Sequence, residues 1–227
     1  MEEEHGSSDS ALIVSGGQID CDQLKEEICK LREAGGMLIA ADSGLDALRQ
    51  IGVLPDVAVG DFDSVNPETL ASCMKYDGFR MERHCPQKNE SDTELAFRIA
   101  AEAGVRKLLL MGATGTRLDH VFSNVHLLKE AMDQKMECCL LDAHNRIRLA
   151  AGRMVFHKED SPYPYISFVP LTMEVTHIKL TGFKYPLEDH HMVLGVECGH
   201  CISNEIAEEE AVLEFETGLL LAIESKD

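Results

Sequence analysis

The sequence has no tryptophan, few other aromatic rings (eight phenylalanines and four tyrosines), and far fewer basic than acidic residues, 21 against 40. The formal net charge of −19 argues against a nucleic-acid partner or an anionic membrane surface, since both are bound through basic patches. It also means that an anionic substrate must be met by a cation or by backbone N–H groups. Long hydrophobic runs are missing too: none approaches the roughly 18 residues that a membrane-spanning helix needs. Met1-Glu2-Glu3-Glu4 carries the wrong charge for a secretory n-region, so a cytoplasmic protein is expected. A second Cys-x-x-Cys is also lacking. Cys198-Gly-His-Cys201 has zinc-like spacing, with His190, His191 and His200 nearby, but reduced thiols are the expected state of the eight cysteines.

What is present alternates. Residues 1–10 are polar and acidic and read as a disordered tail. Short apolar runs at 11–14, 37–41, 57–59, 107–111 and 136–141 read as buried strands, each leading into glycines or acids. Between them lie helical patterns: Leu24, Ile28 and Leu31; Leu45, Leu48 and Ile51; a start at Asn66-Pro67; and Val121, Val125, Leu128 and Met132. Ser91-x-x-Glu94 forms a capping box that opens a helix through Leu95, Ala96 and Ile99, so Asp92 falls at a helix N-terminus. This pattern predicts an α/β domain over 11–145 with a mostly parallel sheet, which binds ligands beyond the strands' C-terminal ends. From Arg146 the pattern changes to short β-rich runs, at 165–169, 175–180, 192–196, 211–215 and 219–223, divided by turns, predicting an all-β sandwich over 146–227.

The stretch Val57-Ala-Val-Gly60-Asp61-Phe62-Asp63-Ser64 concentrates the chemistry. In an extended backbone Asp61 and Asp63 face one side and Phe62 the other. Two carboxylates that close repel one another, and a hard divalent cation with a phosphate partner removes that cost. Asp92, at its helix N-terminus, reads equally as a structural helix start and as a functional ligand. The alternative is a strand end with two solvated turn acids.

Together these turns resemble the thiamine pyrophosphokinase family. The matching segments are Ala41-Asp42-Ser43-Gly44, Leu54-Pro55-Asp56, Gly60 to Ser64, Lys88 to Glu94, Gly112 to Asn124 with Arg117-Leu-Asp119-His120, and Ser203-Asn204. The resemblance implies transfer of pyrophosphate from ATP to thiamine with Mg²⁺, giving AMP and thiamine diphosphate. It implies a homodimer whose active sites lie between the α/β domain of one subunit and the β-domain of the other, with the latter also serving dimerisation. It places Asp61, Asp63 and Asp92 as catalytic metal ligands. Asp42, Ser43, Gly44, Gly112, Arg117, Asp119, His120 and Asn124 fall at the nucleotide, and Ser203 and Asn204 at thiamine.

Two positions depart from the family pattern. Asn89 stands where an acid is common, and no tryptophan is available to stack on thiamine, so a Phe or Tyr must do so. Competing readings are pyrophosphoryl transfer to another hydroxymethyl heterocycle such as a pterin, an Asp-dependent phosphatase, and a non-catalytic sensor of nucleotide or thiamine. The phosphatase leaves the Arg117–His120 turn unexplained, and the acids argue against the sensor.

Overall fold

The computed structural model describes residues 9–227 apart from 78, 84–89 and 197. Lys88, Asn89, Cys85 and nearly all of the acidic tail therefore lie outside the described residues. The chain divides into two compact units between Ala143 and His144.

The first unit runs β1 (Ser10–Val14), α1 (Cys21–Glu33), β2 (Met37–Ala41), α2 (Gly44–Gln50), β3 (Val57–Gly60), α3 (Pro67–Cys73), β4 (Arg80–Arg83), α4 (Asp92–Glu102), β5 (Lys107–Met111), α5 (Leu118–Asp133) and β6 (Glu137–Leu141). Its strands lie in the order β4-β3-β2-β1-β5-β6, and every neighbouring pair is parallel. Strands buried on both faces carry continuous apolar runs, as β1 and β2 do. Local chemistry sets the helix starts. Asp20 accepts from the backbone of Asp22 and Gln23 to begin α1, and Pro67 follows the Asn66 cap of α3. Both halves of the Ser91–Glu94 capping box are formed at α4.

The strand order reverses at β1. The chain moves from β1 outward to β4, then returns to add β5 on the other side of β1. At such a reversal the turns leaving β1 and β5 diverge and open a crevice at the strands' C-terminal ends. The topology therefore places a ligand site after Val14 and after Met111.

The second unit contains β7 (Asn145–Ala150), β8 (Arg153–His157), β9 (Tyr165–Pro170), β10 (Glu174–Thr181), β11 (Leu187–Val193), β12 (Glu210–Glu214) and β13 (Leu220–Ser225). Two antiparallel arrays form, β7-β13-β9 and β11-β10-β12-β8. Phe168, Leu220 and Ala222 from the first meet Phe156, Leu180 and Leu213 from the second in one core. Phe156, Phe168 and Phe183 pack there with ring centroids 5.6 to 6.0 Å apart. This is the α/β arrangement followed by a β-sandwich that the sequence predicts.

Three details differ from the sequence reading. Ser10 belongs to β1, and the Asp9 carbonyl accepts from the backbone N–H groups of Arg106 and Lys107, so residues 9 and 10 of the expected tail are part of the folded unit. The β-run expected over 192–196 ends at Val193, where a turn intervenes. The short polar strand β4 and the strands β7 and β8 carry no clear apolar alternation, and the sequence reading does not mark them.

Candidate active site

Main chain forms the floor of the crevice. A Cβ on Gly17 would lie 2.1 Å from the carbonyl oxygen of Thr114, one on Gly44 1.9 Å from that of Val14, and one on Gly112 2.2 Å from that of Ser15. These distances are shorter than any non-bonded contact, so only glycine permits the three turns to touch. Backbone bonds lock the seam: Gly17 N–H donates to the Gly112 carbonyl and Gln18 N–H to that of Thr114, each at 2.8 Å. Over this floor opens a cavity of about 380 Å³, with Asp42, Ser43, Asp92, Arg117, His120 and Asn124 on its wall.

The acids collect at one end. Asp42, Asp61 and Asp63 each present a carboxylate oxygen within 4.8 Å of the others. The parallel register of β2 with β3, in which Ala41 lies opposite Val59, brings the two turns together. The extended alternation expected through 61–63 does not continue, because β3 ends at Gly60 (φ 147°) and Phe62 turns into the left-handed region (φ 62°). A turn gathers the two acids, with Phe62 buried beneath. Asp61 accepts from the backbone N–H of Asp63 at 3.1 Å, and Asp63 from the Ser64 hydroxyl at 2.9 Å. Asp46, which the sequence reading passes over, accepts from the N–H of Asn66 at 3.0 Å and ties the far end of that loop to α2.

Asp42 is the most constrained of the group. Its backbone is left-handed (φ 46°), and its Oδ1 is buried without a hydrogen-bond partner. Burial pushes this carboxyl above the ordinary value, with Asp61 and Asp63 adding to the effect, while Ser43 N–H and the Ser64 hydroxyl oppose it. Asp92 faces the same acids from α4. Burial first, then the charges of Asp42, Asp61 and Asp63, push its carboxyl up to about 6. An unpartnered buried oxygen among hard carboxylate donors that repel one another fits a divalent cation. Among the described residues no other group of three such ligands occurs. The side chain of Cys198 lies outside them, and burial raises the Cys201 thiol to about 11.

Other predicted residues divide by role. Arg117 pairs with Asp119 through Nε at 3.3 Å and through a terminal nitrogen at 2.6 Å, both side chains being exposed at the rim. That pairing raises the arginine and lowers the carboxyl. Ser203 and Asn204 lie in the second unit. Ser203 is exposed in the left-handed region (φ 56°), and its N–H donates to Ser167 Oγ at 3.0 Å. Asn204 is buried, and its side chain clamps Tyr185: Oδ1 accepts from Tyr185 N–H at 3.0 Å and also from Glu205 N–H at 2.9 Å, and Nδ2 donates to the Tyr185 carbonyl at 2.8 Å. Tyr185 is held with 55% of its surface exposed, and no spacing in the sequence singles it out.

Residues 28–140 match the family model for the thiamin pyrophosphokinase catalytic domain, and residues 153–220 that for the thiamin pyrophosphokinase vitamin B1 binding domain. Thiamine pyrophosphokinase from Bacillus subtilis strain 168 is 30% identical over 222 residues, covering 95% of this chain and 98% of the relative. The crystal structure of the Bacillus subtilis enzyme superposes with a TM-score of 0.85 at 29% identity, over 96% of this chain and 99% of that one. The Geobacillus thermodenitrificans structure, titled thiamin pyrophosphokinase, gives 0.81 at 31%, over 96% and 98%.

Proposed function

The chain belongs to the thiamin pyrophosphokinase family, and from that membership we propose that it makes thiamine diphosphate and AMP from thiamine and ATP. The hydroxyethyl oxygen of thiamine releases its proton to solvent and forms a bond to the β-phosphorus of ATP. The bond from that phosphorus to the α,β-bridging oxygen breaks, and AMP leaves. The observation that carries the reading is the carboxylate cluster with its unpartnered buried oxygen, set at the mouth of a main-chain-floored cavity.

Asp42, Asp61, Asp63 and Asp92 are the residues that would hold Mg²⁺. Bound there, it would supply positive charge against the charge that builds on the transferring phosphoryl groups and against the acidity of the protein. Arg117 offers a planar fork of donors to the polyphosphate at the rim, with Asp119 holding the guanidinium in place beforehand. His120 and Ser43 complete the nucleotide wall. Gly44 and Gly112 give the turns their close approach, and Asn124 holds one of them through the Ala113 carbonyl. Residues 11–145 form the nucleotide and metal domain, and 146–227 the thiamine-binding and dimerisation domain. In the latter, Ser203 bonds the pyrimidine, Tyr185 supplies the stacking ring, and Asn204 fixes Tyr185. The protein works in the cytoplasm as a homodimer with its sites at the subunit interface. Supporting that assembly, Leu118 and Phe122 beside Arg117 are 66% and 64% exposed, apolar surface that a second subunit would cover.

The test is to incubate the purified protein with ATP, Mg²⁺ and thiamine and follow the nucleotides. AMP formed in step with thiamine diphosphate, and only when thiamine is present, is the expected result. ADP or free phosphate would overturn the reading, as would turnover of a hydroxymethyl pterin in place of thiamine.

A further inference from the structure

The first turn of α4 is joined to the end of β1 by two hydroxyls. Ser15 Oγ and Thr93 Oγ1 lie 3.0 Å apart, both buried, at 4% and 9% exposure, and both on the cavity wall. The reaction described above gives neither a role. Their neighbours are already provided for. Ser15 N–H donates to the Met111 carbonyl at 2.8 Å, and α4 has its complete capping box. The hydroxyl pair is therefore not what starts the helix or closes the strand.

We propose that the Ser15–Thr93 hydroxyl pair is a positioning device that fixes the rotation of the first turn of α4 and so aims Asp92 at the Asp42–Asp61–Asp63 cluster. The proposal rests on reading Asp92 as an acid of the cation site. Successive residues on a helix point about 100° apart, so pinning Thr93 sets the direction of Asp92. The pin has a force to resist, because the three other carboxylates repel Asp92. The capping box bonds Ser91 to Glu94 within the helix and turns with it. Burial of Leu95, Ala96 and Phe97 holds the helix in place but is non-directional. A hydrogen bond across to β1 is directional and has its other end on the cavity floor.

The experiment compares the full-length protein with Thr93→Val, which keeps shape and loses the hydroxyl, Ser15→Ala, the double variant, and Thr93→Ser, which restores the hydroxyl. Three readings are taken on each: melting temperature, steady-state constants for thiamine, and binding of Mn²⁺ followed by the resonance of the free ion, with and without ATP. Either single loss should lower kcat roughly tenfold, as a small misplacement of a positioned group does, with KM for thiamine within about twofold. Mn²⁺ binding should weaken severalfold. The double variant should be no worse than either single, because one interaction is removed twice, and Thr93→Ser should recover most of the loss. Additive losses would mean that the hydroxyls contact ligand separately and would overturn the proposal. So would a Thr93→Ser variant as impaired as Thr93→Val, or a fall in melting temperature with kcat and Mn²⁺ binding unchanged. Should the wild-type protein form no AMP with thiamine, the proposed function fails, while the Mn²⁺ measurements still decide whether the hydroxyl pair aims Asp92.

Discussion

Asn124, buried nearly two turns into α5, donates from Nδ2 to the Ala113 carbonyl at 2.8 Å and so holds the turn that leads into its own helix. The bond joins the second segment of the cavity floor to a rigid element. Asn124→Ala leaves that buried carbonyl unsatisfied, and such a loss costs about 1–3 kcal/mol. Denaturant unfolding should show this cost, and turnover should fall with it because Arg117 lies at the end of the loosened segment. Full stability in the variant would place the turn's support elsewhere.

Asp63 is the exposed member of the acid cluster, and Asp42 the one with a buried free oxygen. Asp63→Ala should abolish turnover with little change in melting temperature, since it removes a repulsive charge and no packed group. Mg²⁺ should raise the melting temperature of the wild type, because ligands that bind only the folded state stabilise it. That increment should vanish in Asp42→Asn. An equal Mg²⁺ shift in both proteins, read by thermal melting, would move the cation away from Asp42.

The pH dependence without divalent cations follows from Asp92. Its folded-state value is raised from 3.8 to about 6, so its contribution to stability is complete below the unfolded value and is lost as pH rises through 6. Metal-free wild type should therefore lose melting temperature between about pH 4 and pH 6 relative to Asp92→Asn, with no further loss above that window. Parallel curves for the two proteins would show that Asp92 titrates normally.

Ser203 and Asn204 are neighbours with opposite expectations. Ser203→Ala should raise KM for thiamine more than that for ATP and leave stability near wild type. Asn204→Ala removes the clamp on Tyr185 and should lower stability by about 1–3 kcal/mol, the cost of unsatisfied buried groups, with thiamine binding lost as a consequence. A Ser203→Ala variant impaired equally toward both substrates would place thiamine at another surface.

How far the site could be read from sequence depended on whether its parts were local. The glycine turns, the capping box at Ser91 and the pair Asp61–Asp63 each lie within a few residues, and local chemistry identifies them. The weight of Asp42 does not, because it arises from the register that sets Ala41 opposite Val59 and from an oxygen left without a partner after packing. Asp46 and Tyr185 matter through bonds to residues far along the chain, to Asn66 and Asn204, which no periodicity encodes. Strand β4 escaped for a related reason. It is short, polar and at the sheet's edge, so it never needed an apolar pattern.

The seam of Gly17, Gly44 and Gly112 has a consequence for how such a protein can diverge. Side chains are what mutation changes, and here the surface nearest the ligand has none to change. Any added carbon strikes a carbonyl about 2 Å away, so the floor admits no gradual series of variants. Change in what the pocket accepts must enter from its wall, through positions such as Arg117 and His120, while the base of the pocket stays the same.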